Sequence, residues 1–385
     1  ENYDRGWDDE GSAFAVYKDD ELLVDLWGGY ADSTQNVSWT RDTFAVVFST
    51  TKIIRAACAI SLALLVDRGL ISYDDLVVKY WPEFGKHGKK VITVRMLASH
   101  QAGLVALDDK ITFETIRNYR KMSQMLENQV PNWKLDEKAF GYHLLTYGFL
   151  IDQIIRRVDP EKRSLGKFFS DEIAKPHNLE FFIGLPAGLE NNVARITQPT
   201  TKEFVDALLT DPFFVLLMIR VFCSRPNDVM ARAMKNPEWL VVDENNTEYY
   251  AFNDPELYKL EIGGAAGIGT ARSLAKLMCL FVTGKIVGPK TLNQLKKPLF
   301  EKQTDIVLNI PMTIGHGFEY ARVSKDHYMI GHSGYGGQNV KADLDRHVCL
   351  AYIRNGLSHT VGDFNWSYKK LKYSVYAALK KIKGL

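Results

Sequence analysis

The chain has 385 residues, a formal net charge of +2, 46% hydrophobic and 24% charged residues. That is an ordinary globular balance with chain enough for a large core, and near-neutrality gives no electrostatic case for nucleic acid or an acidic membrane surface as partner. No apolar run reaches the roughly 18 residues of a membrane-spanning helix.

The N-terminal stretch Ser12 to Tyr30 reads as a hairpin, with apolar runs at Phe14–Tyr17 and Leu22–Trp27 flanking the polar turn Lys18-Asp19-Asp20-Glu21. A third apolar run, Phe44–Phe48, leads into a helix expected over Thr50–Arg68 and capped by Gly69. That helix is apolar on nearly every face and so belongs in the core. From about Leu70 to Leu280 the pattern is mostly helical. The run Gly263–Thr270 opens a helix expected over Ala271–Val282. Strand patterns return at His327–Ile330, Gln338–Asp343 and Val348–Ile353, and an amphipathic helix, Tyr368–Ile382, closes the chain. Strands at both ends with helices between them predict an α/β (α+β) protein. Its antiparallel sheet is built from both termini (about 1–70 and 283–385), with a helical sub-domain (about 71–282) inserted. A cleft between such parts is the usual place for a ligand.

The chain begins at Glu1 rather than Met, from which removal of an N-terminal leader or anchor is expected. Cys58, Cys223, Cys279 and Cys349 have no close-spaced partners and read as free thiols, mostly buried. Three acceptor triplets for N-glycosylation, at Asn36, Asn245 and Asn365, pull toward a secretory route. The compartment stays open between secreted, luminal or anchored and intracellular.

Serine followed three residues later by lysine occurs four times, at Ser49/Lys52, Ser164/Lys167, Ser273/Lys276 and Ser367/Lys370. Spacing alone does not choose among them; context favours the first. Ser49 stands where a strand-like run ends and a buried helix begins, and the positive end of a helix favours a developing alkoxide. Lys52 lies one turn on, where partial desolvation lowers an ammonium's pKa and lets it take a proton. The blander alternative is a capping serine and a lysine reaching solvent. For the other three pairs, capping at a helix start accounts for the serine. Downstream, Tyr142-His143 precedes another helix, and Gly331-His332-Ser333-Gly334-Tyr335-Gly336-Gly337 is a glycine-rich strand edge that lets a substrate approach the backbone.

Ser49-Thr50-Thr51-Lys52, then Tyr142, then His332-Ser333-Gly334 resembles the serine β-lactamase and penicillin-binding protein superfamily. Within it the likeness is to the class C-like branch, which includes family VIII carboxylesterases and animal β-lactamase domain-containing proteins. Met96–Leu104, Gly267–Ala275 and Gly331–Asp343 resemble three further stretches of that branch, and the matches run in family order over about residues 12–380. The resemblance implies a single β-lactamase/transpeptidase-like domain. It also implies Ser49 as the acylated nucleophile, Lys52 as its proton acceptor or orienting partner, and Tyr142 as general base or as proton donor to the leaving group. His332 stands where β-lactamases carry lysine, Ser333 and Gly334 complete that substrate-binding motif, and the Tyr335 amide joins the Ser49 amide in an oxyanion hole. Two departures stand out. Leu144 occupies a position that is usually asparagine, and histidine at 332 removes a permanent cation that would hold a β-lactam carboxylate. Esterase- or peptidase-like chemistry on a small ester, amide or peptide is therefore expected ahead of antibiotic hydrolysis, with no metal or organic cofactor and with homo-oligomerisation left open. Phe213, Phe214 and Phe222 are either an apolar acyl pocket or core packing.

Three rival readings of the sequence stand beside this one. A metal hydrolase lacks any His-x-His-x-Asp or His-Glu-x-x-His spacing among the nine histidines. An α/β-hydrolase elbow around Ser333 lacks its last glycine. A scaffold or binding protein could keep the fold and lose catalysis, although Ser49, Lys52 and Tyr142 are all retained.

Overall fold

The computed structural model describes residues 2–52, 55–135, 138–223, 225, 228–237, 250–360 and 362–383. The N-terminal part forms β1 (Ser12–Lys18), β2 (Glu21–Gly28), the short pair β3 (Tyr30–Asp32) and β4 (Val37–Ser38), and β5 (Ala45–Val46). Among the described residues, the middle contributes only β6 (Phe181–Ile183) and β7 (Gly267–Gly269). The C-terminal part supplies β8 (Phe300–Thr304), β9 (Pro311–Gly315), β10 (Phe318–Ser324), β11 (His327–Ser333), β12 (Asn339–Asp343) and β13 (Val348–Arg354). Eight of these make one antiparallel sheet in the order β2-β1-β13-β12-β11-β10-β9-β8. The two chain ends meet where β1 pairs with β13, Ser12 opposite Arg354 and Lys18 opposite Val348.

The hairpin turn is Asp19-Asp20, both at positive φ (48° and 70°), the backbone that matches the twist of the flanking strands. Alternation then sorts the two faces of the sheet. Phe14, Val16, Leu350 and Tyr352 face the C-terminal helix Trp366–Lys383 and pack with Tyr368 and Val375. Ala15, Tyr17, Cys349 and Ala351 join the larger core with helices Arg55–Asp67 and Ala271–Val282. Fully burying an Ile or Leu there, such as Ile60 or Leu277, contributes about 1.5–3 kcal/mol.

Helix Arg55–Asp67 ends as expected. Gly69 has φ 69°, its N–H donates to the Val66 carbonyl, and the Leu70 N–H donates to that of Leu65, each at 3.0 Å, which satisfies two terminal carbonyls. Its start differs from the expectation. Phe48–Lys52 is a 3-10 turn, entered through Phe48 at φ 44°, so Ser49 sits inside a tight turn rather than at an α-helix cap. Strands β8 to β10 carry no expectation from sequence. β8, Phe-Glu-Lys-Gln-Thr, is a polar, largely exposed edge, whose chemistry guards an open sheet side and hides its period.

Cys58, Cys279 and Cys349 are buried free thiols, but Cys223 is exposed. Of the acceptor asparagines, Asn36 is an exposed turn residue and Asn245 lies outside the described residues. Asn365 is buried, donates to Thr360 and accepts the Tyr368 N–H.

Among the described residues, no helix is long and apolar enough to cross a membrane. The sheet seam is fastened at Asp8. One of its carboxylate oxygens accepts the Tyr352 and Ser367 hydroxyls and lies 3.4 Å from the buried Arg354 guanidinium, while the other accepts the Ser12 hydroxyl. Asp8→Ala strands these donors and is expected to cost about 3–5 kcal/mol, read as a lowered urea midpoint.

Candidate active site

The 3-10 turn carrying Ser49 packs against β11, β7 and the turn Tyr335–Gly337. The Thr50 N–H donates to the Val47 carbonyl (2.9 Å) and Thr51 Oγ1 accepts the Gly267 N–H (2.8 Å), tying the turn to β7. The Phe48 ring meets Tyr335 edge-on at 5.6 Å and Phe252 at 4.9 Å. The sharpest constraint is at Gly334. A Cβ there would sit 2.4 Å from Thr50 Oγ1 and 2.8 Å from the Val47 carbonyl, so only glycine lets the strand edge lie this close to the serine turn. Ser49 itself is half-buried. Three residues per turn place positions 49 and 52 on one side of the 3-10 helix; the Lys52 side chain lies outside the described ones.

Tyr142 reaches this edge from the segment before helix Thr146–Val158. Its hydroxyl is 3.5 Å from His332 Nε2, and its ring packs on His100 with centroids 5.0 Å apart. Three backbone contacts hold the segment. The Tyr142 N–H donates to Asp305 (2.7 Å), the His143 N–H to His100 Nδ1 (2.9 Å) and the Gly141 N–H to the His100 carbonyl (3.0 Å). His143 points away from Tyr142's hydroxyl: its Nε2 accepts the Leu104 N–H (3.0 Å) and its Nδ1 donates to the Gly141 carbonyl (2.7 Å). Both nitrogens are thereby satisfied by a neutral ring. Leu144 packs with Tyr142, Val105 and Met230 in a small apolar cluster. The void behind Tyr142 and His332 measures only about 10 Å³, so the two rings have little room to move.

On β11, His332 is buried, with Nδ1 2.5 Å from the Ser333 carbonyl and 3.2 Å from Glu319 Oε1. Glu319 on β10 also accepts the Ser333 N–H (2.9 Å), the Ser333 hydroxyl (3.1 Å) and the ammonium of Lys341 on β12 (3.1 Å). Burial alone pushes a carboxyl upward; the neighbouring His332 ring, the Lys341 ammonium and these hydrogen bonds outweigh it and hold Glu319 down at about 2. The Ser333 hydroxyl, expected to bind substrate, is engaged by this carboxylate.

Gly334 and Tyr335 thus pack on the turn bearing Ser49, and Tyr142 meets His332 on the strand that leads to them. Sequence reasoning missed Glu319, Lys341, Asp305 and His100. A Glu and a Lys inside otherwise apolar strand runs (Phe318-Glu319-Tyr320, Val340-Lys341-Ala342) are the signal that was available, because a strand's buried face takes a charge only with its partner. The other Ser-x-x-Lys serines have structural roles, but for two of them the role is not the expected cap. Ser164 does cap its helix, but Ser273 accepts the Glu180 N–H and Ser367 donates to Asp8, both from buried positions. Phe214 is buried against Phe204 and His359, whereas Phe222 is 83% exposed. The side chain of Phe213 lies outside the described ones.

The sheet, its flanking helices and this constellation define a β-lactamase/transpeptidase-like fold of the serine hydrolase class. The beta-lactamase family profile matches residues 2–372, and the chain belongs to that family. It is 31% identical over 355 residues to the esterase/beta-lactamase LipL of Mycobacterium tuberculosis, covering 90% of this chain and 77% of LipL. Among solved structures it is similar to a family VIII carboxylesterase (TM-score 0.77, 27% identity, covering 94% of this chain and 91% of that one). It is likewise similar to a penicillin-binding protein homologue from Caulobacter crescentus (TM-score 0.73, 29% identity, covering 91% and 88%).

Asp305 gives a pH test of the Tyr142 support. Burial pushes its carboxyl up to about 6, against the pull of three backbone N–H donors. The folded state therefore holds this proton more tightly than the unfolded chain does. The stability it contributes is full below about pH 4 and is lost as pH rises through about 6. Urea midpoints between pH 4 and 7 should show this decline in the wild type and lose that component in Asp305→Asn.

Proposed function

We propose that the protein hydrolyses a small ester or amide by acylation and deacylation of Ser49, as an esterase- or peptidase-like enzyme. The observation that carries this reading is the packing of the Ser49 turn against the Gly334–Tyr335 edge, with the Tyr142 hydroxyl arriving at His332 on the same strand. Ser49 Oγ attacks the carbonyl carbon and its proton passes to Lys52 or Tyr142. The Ser49 and Tyr335 amides take the oxyanion, a contribution worth about 10²–10³ in rate for acyl-transfer sites. Tyr142 then returns a proton to the leaving group, and water releases the acyl group by the same steps. The Caulobacter relative's name speaks of penicillin binding, and the LipL name joins esterase with beta-lactamase. Here the position that would grip a carboxylate is a histidine turned toward tyrosine, and Lys341, the nearby ammonium, is engaged by Glu319. That supports neutral acyl substrates. The same reading divides the chain into a sheet part, about 1–70 with 283–385, and a helical part, about 71–282, with the cleft between them.

Labelling with a fluorophosphonate and mapping the modified peptide should place the adduct on Ser49, absent from Ser49→Ala. An adduct on Ser333, or none on folded protein, would overturn the assignment, the second outcome favouring a scaffold. Tyr142→Phe should lower kcat by about 10²–10⁴ with the far-UV circular dichroism unchanged. In steady-state assays p-nitrophenyl butyrate should exceed p-nitrophenyl hemisuccinate in kcat/KM by at least about tenfold, and His332→Lys should narrow the gap.

A further inference from the structure

His332 has both ring nitrogens assigned by its surroundings. Nδ1 faces two groups that only accept, the Ser333 carbonyl at 2.5 Å and a Glu319 carboxylate oxygen at 3.2 Å. Nδ1 must therefore carry a proton whether the ring is neutral or charged. In the neutral ring Nε2 is then a bare lone pair, and the group in front of it, 3.5 Å away, is the Tyr142 hydroxyl. Such contacts are often long before substrate binds and tighten in the reacting complex.

We propose that Glu319 is a positioning residue: through Nδ1 it fixes His332 so that Nε2 serves as the proton acceptor for Tyr142. The proposal rests on Ser49 and Tyr142 acting as described above. Tyr142 gives its O–H proton to Nε2 as it takes the proton leaving Ser49. The Ser49 O–H bond breaks, the Tyr142 O–H bond re-forms and an Nε2–H bond forms, leaving an imidazolium beside the buried Glu319 carboxylate. When the leaving group departs it is protonated by Tyr142, which recovers its proton from Nε2, so no proton is gained or lost over the acylation step. Lys341 enters as the counter-charge that keeps Glu319 ionised in a fully buried place. Among the described residues, the groups that face the pair include Glu319 and Lys341 from the neighbouring strands, His100 against the Tyr142 ring, and Asp305 at the Tyr142 amide.

The test compares p-nitrophenyl butyrate turnover as a function of pH for the wild type, Glu319→Gln, Glu319→Asp and the double variant Glu319→Gln/Lys341→Met. The double variant removes both buried charges and so guards against misfolding from a stranded ammonium. Removing the carboxylate makes the imidazolium less favourable. The acid limb of kcat should then move to lower pH by about one unit or more, and kcat at the plateau should fall at least about 30-fold with KM within about threefold. The double variant should repeat that deficit, and Glu319→Asp should recover part of it. An unmoved acid limb with wild-type kcat in either folded Gln variant, or a loss carried wholly by KM, would overturn the proposal. Fluorophosphonate labelling of the wild type runs in parallel. If Ser49 labels, failure in the pH series concerns Glu319 alone; if Ser49 does not label, it is the nucleophile assignment that fails, and this proposal falls with it.

Discussion

Everything at the candidate site depends on one close approach, that of the Gly334 backbone to the turn between Val47 and Thr50. There is no space for even a methyl group between them. This contact fixes the distance between the serine turn and the strand edge that carries His332, Ser333 and the Tyr335 amide. It is in turn made by the sheet, because β11 can reach the turn only when β12, β13 and β1 bring both chain ends into register. The buried Asp8–Arg354 seam and the two helical layers stabilise that register. A precise constellation here is a property of the whole fold and not of a loop.

The second layer of control is electrostatic. Charges inside the protein persist only where partners offset desolvation, and the described site contains such a pair, Glu319 on β10 and Lys341 on β12, with the His332 ring on β11 between them. Asp305 is the contrasting case. It is held by three backbone N–H donors, and burial pushes its carboxyl up rather than down. The two carboxyls therefore weight opposite ends of the pH scale, one supporting the tyrosine's backbone and the other the histidine's ring.

Much of this was legible from sequence where local chemistry and tertiary structure agree. The Asp19-Asp20 hairpin, the Gly69 cap, the helix Ala271–Val282 and the three C-terminal strands each follow from a periodicity bounded by a turn or cap residue. Ser49, Tyr142 and His332 could be singled out because resemblance ordered them along the chain. What escaped was set by long-range pairing. The polar edge strand β8 carries no apolar alternation, and the 3-10 turn at Ser49 is imposed by β7 and Gly334, hundreds of residues away in sequence. The charges at 319 and 341 acquire meaning only as neighbours across strands. Ser273 and Ser367 looked like caps because their true partners, Glu180 and Asp8, lie 93 and 359 positions away.

The most direct measurement is to mix the protein with a slowly deacylated ester, quench in acid, and read the intact mass and the modified peptide. An increase equal to the acyl group, located on Ser49, is the result this account predicts. An acyl group on Ser333, or continuing turnover with no covalent intermediate, would contradict it.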